Sequence, residues 1–125
     1  MRRAYSRAFD PPAPMVPVLV SSPGPGRGRS LDGKLDTGAD ICALPDVLIA
    51  ELGVPPVGTV RAAGYGGELR EIAVYRLDIQ IDDTQHRHVK ALSTRRPYVI
   101  IGRNILQSYL LRLDGPKARL ELRLP

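Results

Sequence analysis

Apolar residues in this chain come in short runs, and almost every run stops at a glycine or a proline. Met15-Val16-Pro17-Val18-Leu19-Val20, Ile41-Cys42-Ala43-Leu44, Leu77-Asp78-Ile79-Gln80-Ile81 and Tyr98-Val99-Ile100-Ile101 are separated by such breaks. Val, Ile and Leu supply most of the apolar set, and periodic runs of helix length are scarce. That pattern argues against a helical bundle and predicts an all-β fold, mainly strands with one or two short helices. The 12 Gly and 12 Pro suit frequent turns, and 125 residues suffice for one domain with a single modest core.

The strands can be placed in order. Met15–Val20 is the first, drawn toward an edge by Pro17, which has no N–H to give a neighbouring strand. Ser21–Ser30 reads as a long mobile hairpin connection, and Leu31–Leu35 as the second strand, although Asp32-Gly33 is itself a candidate tight turn. Ile41–Leu44 reads as a buried strand. A short helix from about Pro45 to Leu52 follows, with Gly53 to close it. Two strands, Thr59–Ala63 and Leu69–Ile81, flank the tip Gly64-Tyr65-Gly66-Gly67, where glycine permits positive φ. Thr84–Leu92 and Tyr98–Gly102 are further strands, and Arg103–Tyr109 is a second short helix. Leu110–Leu113 and Ala118–Leu124 make a last hairpin, with Leu120, Leu122 and Leu124 on one face.

The formal net charge of +5 is concentrated in residues 1–30, where Arg2, Arg3, Arg7, Arg27 and Arg29 face only Asp10. The rest of the chain is nearly balanced, and aromatics are 5% with no Trp, so a folded nucleic-acid-binding face is disfavoured. Residues 1–14 read as a flexible basic tail ahead of a domain spanning 15–125. No apolar segment of signal-peptide length follows the arginines, and no run of 18 apolar residues occurs, so the expectation is a cytoplasmic chain without a membrane span. The lone Cys42 excludes an intrachain disulfide. His86 and His88 lack a third ligand at a metal-binding spacing and read as solvent-facing strand residues; no metal or cofactor is expected.

The chemistry concentrates in Leu35-Asp36-Thr37-Gly38-Ala39-Asp40, set between two apolar segments. Asp36 offers a carboxylate, Thr37 a hydroxyl that can fix its neighbours, and Gly38 a backbone open to close approach. About 65 residues later comes Ile100-Ile101-Gly102-Arg103-Asn104-Ile105-Leu106, with the glycine-tipped hairpin in between. In order and spacing these three features resemble the retroviral-type (retropepsin-like) single-domain aspartic proteases, over roughly Met15 to Leu124. The resemblance implies a closed-barrel-like acid-protease fold of one lobe, completed as a C2 homodimer. The chain has one Asp-Thr-Gly only, so the second carboxylate must come from another copy.

Further expectations follow from that resemblance. Two Asp36 carboxylates would share a proton and activate water for hydrolysis of a peptide bond in a protein or peptide substrate. Thr37 would bond across the axis and Gly38 would admit substrate backbone. Ala39, Asp40, Ile100 and the flap residues Gly64, Tyr65 and Gly66 would contact substrate. Arg103 and Asn104 would support the site, Arg103 by pairing with Asp40. Leu120–Leu124 would join an intersubunit sheet. Cys42 stands where Thr or Ser is common, and Ala39 where two-lobed relatives carry a hydroxyl, which implies a weakly acidic rather than strongly acidic optimum. The alternative reading is a non-catalytic dimerisation or peptide-binding module on the same fold.

Overall fold

The computed structural model describes residues 1–24, 26, 28–63 and 66–125. Among them the chain forms β1 (Arg2–Ala4), β2 (Met15–Ser21), β3 (Gly28–Leu35), β4 (Cys42–Pro45) and α1 (Asp46–Leu52). β5 (Gly58–Ala63), β6 (Leu69–Ile81), β7 (Thr84–Thr94), β8 (Val99–Ile101), α2 (Arg103–Leu106), β9 (Leu110–Asp114) and β10 (Arg119–Arg123) follow. The mostly-β architecture read from the short apolar runs is the one observed, and both short helices are present.

The larger sheet runs β2-β3-β8-β4-β7-β6-β5, and a further pairing of β2 with β6 closes its first six strands into a barrel. Alternation along the strands fills the interior. Val16, Val18 and Val20 from β2 meet Leu77 and Ile79 from β6, Ala91 from β7, and Val99 and Ile101 from β8, all buried. Gly33 shows how tightly the barrel closes, since a Cβ there would lie 3.0 Å from Ile101 and 3.1 Å from Val18. Asp32-Gly33 is therefore strand rather than turn, paired with Pro17 and Val16. Pro17 is tolerated because β2 reaches β6 only from Leu19 onward, so its N-terminal half is an edge.

β5 lies outside the ring, paired only with β6 along Gly58–Ala63 and Leu69–Val74. Beyond the register with β7, which begins at Val74, this two-stranded hairpin projects from the barrel. Its strands carry little buried apolar surface, and Leu69 is 67% exposed. Gly66 and Gly67 sit at the tip, Gly67 with φ +76°, as the glycine cluster implied. Gly64 and Tyr65 lie outside the described residues.

Three expectations are corrected by the backbone. The connection after β2 is shorter than the span Ser21–Ser30, because β3 already begins at Gly28. The segment 1–14, expected as a flexible tail, contains β1, which pairs antiparallel with β10, and a bridge between Ser6 and Ala13. Polar side chains hid this strand, whose pairing is a backbone matter. The third concerns the last hairpin. β10 is the middle strand of a three-stranded sheet β1-β10-β9, with Leu120 and Leu122 buried and Leu124 exposed beyond the strand end. Both its edges are occupied within the chain, so Leu120–Leu124 lies inside the small sheet rather than at an edge open to another copy.

Candidate active site

Two loops meet beneath the projecting hairpin and make a rigid floor. The first leaves β3 at Leu35 and carries Asp36 to Ile41; the second joins β8 to α2 through Gly102. β3 and β8 run parallel with Leu35 beside Ile101, and the Asp36 N–H donates to the Ile101 carbonyl (3.0 Å). The Gly38 N–H donates to Asp36 Oδ1 (2.9 Å), orienting the carboxylate from its own turn. Arg103 N–H donates to the Ala39 carbonyl (2.8 Å) and Asn104 N–H to the Asp40 carbonyl (3.3 Å), so the two loops are laced along their backbones.

Gly102 is required here for space. A Cβ at this position would lie 2.6 Å from the Ile41 carbonyl carbon and 2.7 Å from its oxygen. Side chains complete the lacing. Arg103 Nη1 donates to the Thr37 carbonyl (2.7 Å), while Nη2 bonds Asp40 Oδ1. The expected Asp40–Arg103 pair therefore exists, and the guanidinium fork also grips the main chain of the Asp-Thr-Gly turn. Both partners are well exposed, so the ion pair itself contributes little to stability. Its effect is geometric.

Asn104 joins three elements. Its Oδ1 accepts from the Cys42 N–H (3.1 Å) and from the Cys42 thiol (3.2 Å), and its Nδ2 donates to the Lys90 carbonyl on β7 (2.9 Å). Cys42 is fully buried and receives the Gly102 N–H on its sulfur (3.3 Å). Burial pushes its thiol up to about 11, against a smaller opposite effect of the Gly102 bond, so it remains a protonated donor. Cys42 was expected only as part of a buried strand; its hydrogen bonds to Gly102 and Asn104 are what the sequence did not disclose.

The floor and the hairpin enclose an open cleft of about 640 Å³. Asp36, Gly38, Ala39, Asp40 and Ile100, all named as site residues from the sequence, line it, and so do Ile41, Ala43, Val60, Arg61, Ala62, Ala63, Lys90 and Leu92, which were not singled out. Thr37 stands exposed beside the cleft. Other hollows among the described residues, of about 260 to 370 Å³, are smaller and are not lined by Asp36. Of the two histidines, His88 is exposed as expected and His86 is not. His88 lies at a register shift opposite Leu77 and Ile79 and has a φ of 52°. His86 is half-buried and its Nε2 lies 2.7 Å from the Tyr109 hydroxyl; burial lowers its pKa below 6.5.

A closed β-barrel whose floor presents an Asp-Thr-Gly carboxylate, held by a Gly-Arg-Asn junction beneath a glycine-tipped flap, defines an aspartic protease of the retropepsin-like kind. The sequence model of the family described as aspartyl protease matches residues 23–105, and the chain belongs to that family. It is an aspartic-type endopeptidase. Among solved structures, EIAV protease complexed with the inhibitor HBY-793 is 26% identical, with 76% of this chain and 86% of that chain covered and a TM-score of 0.60. Two others share the fold. A retropepsin-like aspartic protease from Rickettsia conorii is 16% identical over 98% of this chain and 88% of its own, with a TM-score of 0.66. Simian foamy virus (mac) protease is 18% identical over 73% and 91%, with a TM-score of 0.56. No curated protein matches the sequence. Among the described residues no helix is long and apolar enough to cross a membrane.

Proposed function

We propose that two copies of this chain pair about a two-fold axis and that their Asp36 carboxylates together hydrolyse peptide bonds. The observation that carries this is a fully laced catalytic floor that holds one carboxylate where the chemistry requires two. In the pair, one Asp36 takes a proton from the attacking water while the other gives a proton to the substrate carbonyl oxygen. The macroscopic pKa values then belong to the dyad rather than to either residue. Thr37, with its carbonyl held by Arg103 and its side chain exposed, reaches across the axis. Gly38, Ala39, Asp40 and Ile100 receive substrate from below, and Gly66 with Gly64 and Tyr65 closes over it. The protease domain takes in residues 15–125, with β1 added to its small sheet.

The small sheet ends in β1 and β9, and β9 is the edge we assign to pairing. Among the described residues β9 has one strand neighbour, β10, and its other edge is open. Leu113 stands opposite buried Leu120, so it shares the face that looks toward the core, yet it is 43% exposed. A second β9 laid against the first would cover it and continue the sheet through both subunits. The experiment is solution mass together with cleavage of a peptide library, comparing the native chain with Asp36→Asn. A dimer whose cleavage falls by about 10²–10⁴-fold in the variant supports the proposal. Cleavage that survives the substitution, or that belongs to a monomer, overturns it.

A further inference from the structure

The cleft wall is built in rows that run across the strands. Ala43 stands opposite both Ile100 on β8 and Leu92 on β7, and Leu92 stands opposite Val74 on β6. Ile100, Ala43, Leu92 and Val74 thus form one continuous apolar row, and three of them line the cleft. Two residues along the same strands, and so on the same face, the next row is different. It pairs Lys90 on β7 directly with Arg76 on β6, and Lys90 also lines the cleft.

Two cations directly opposite one another destabilise a sheet. Nothing among the described residues neutralises this pair. Neither Lys90 nor Arg76 has a carboxylate within ion-pair distance, and the Arg76 guanidinium donates only to the His88 carbonyl (3.1 Å). Two acids close by in sequence or in the cleft lining are engaged elsewhere. Asp40 is held by Arg103, and buried Asp78 accepts the His88 N–H (2.9 Å) and faces Arg87. Lys90 is also fixed at its base, because its carbonyl is the acceptor for Asn104. The residue that braces the floor thus also fixes the backbone from which Lys90 lines the cleft.

We propose that Lys90, with Arg76 behind it, is a specificity-determining subsite for an acidic side chain of the substrate. This rests on the protease reading given above and names the kind of peptide that the site selects. An extended substrate points every second side chain at the same wall. A residue that fills the apolar row of Ala43 and Leu92 therefore has a neighbour two positions along that meets the Lys90 row. Asp or Glu at that position relieves the cation pair; Lys or Arg there adds a third positive charge. Arg61 on the flap also lines the cleft, but it stands opposite Glu71 rather than a second cation, and the subsite is placed on the Lys90 row.

The test is a set of peptides that keep an apolar residue beside the scissile bond and carry Glu, Gln or Lys two positions further out, on either side. In the native enzyme kcat/KM should favour Glu over Gln by roughly fivefold and disfavour Lys by a similar factor. The Glu:Gln ratio should shrink at high salt. It should vanish in Lys90→Gln, persist in Lys90→Arg, and invert toward Lys in Lys90→Glu. Ratios within each variant cancel any general loss of activity. Asp36-dependent cleavage that is indifferent to charge at both positions overturns the subsite and leaves the protease standing. A preference that survives Lys90→Glu also overturns it. The absence of cleavage of any peptide overturns both.

Discussion

The floor and the flap of the cleft each depend on glycine, and for opposite reasons. Gly102 in the floor has φ −89°, an ordinary value, but no room for a Cβ against the Ile41 carbonyl. Gly67 at the flap tip has open space around it and φ +76°, which an L side chain adopts only with strain. The floor is crowded and cross-linked by Arg103, Asn104 and Cys42, whereas the flap is a two-stranded hairpin with little buried surface. A preorganised base under a lid free to open is what a protease needs, to hold water and carboxylates still and yet admit a polypeptide.

The same substitution in both places separates the two roles. Gly102→Ala should give the largest loss, about 3 kcal/mol, because backbone rather than a flexible side chain must move. Cleavage should disappear with it, since the displaced loop carries Asp36. Thermal denaturation and a peptide assay measure the two together. A stable, active Gly102→Ala would mean that the floor is softer than its contacts imply.

Asn104→Ala ranks next, at about 2 kcal/mol, for it strands the Cys42 N–H and the Lys90 carbonyl without partners. Asn104→Asp tests the same point differently: it keeps an acceptor for Cys42 and removes the donor to Lys90. It should lie between the native chain and Asn104→Ala in a denaturant titration. Equal stability of all three would remove Asn104 from the lacing.

Gly67→Ala should cost less, roughly 1 kcal/mol of strain at the tip. Global stability should register only part of that, because the flap can relieve strain by opening locally. Turnover should respond instead, through a raised KM or a changed closing step, with Tm almost unmoved. If Tm falls as far as in Gly102→Ala, the flap is part of the cooperative unit and the contrast between the two regions collapses.

How far the sequence disclosed these regions depends on what each is made of. Motif residues of the floor could be read because Asp36-Thr37-Gly38 and Gly102-Arg103-Asn104 carry their chemistry in residue identity and order. The flap tip could be read because clustered glycines mark positive φ. What escaped was relational. Nothing in the apolar run Ile41–Leu44 shows that the Cys42 sulfur accepts from Gly102, or that the Ile41 carbonyl sits over it. Lys90 looked like one more polar strand residue until register placed it opposite Arg76 and beside the cleft. β1 was missed because Arg2-Arg3-Ala4 has no apolar signal. The period-2 leucines of β10 located a strand without saying that both its edges were filled. Alternation reports which face is buried, and pairing partners lie outside its reach.

The smallest predicted effect concerns pH, and it falls on the floor's side of the comparison. His86 on β7 is tied to Tyr109, in the segment that leads from α2 to β9. Burial lowers its folded pKa below the ordinary 6.5. Below about pH 6.5 the unfolded chain therefore binds a proton that the folded chain refuses, and stability falls as pH falls until the folded value is passed. The effect is modest because the imidazole is only half-buried and solvent screens it. Its location gives it meaning, since His86 sits on the strand whose Lys90 carbonyl Asn104 holds, and Tyr109 lies just after the helix that carries Asn104. His86→Gln should flatten the decline of Tm between about pH 6.5 and the acid limit of cleavage, and leave stability at neutral pH nearly unchanged. An undiminished decline in the variant would show that the acid sensitivity of the fold arises elsewhere, with the floor's anchoring indifferent to this histidine.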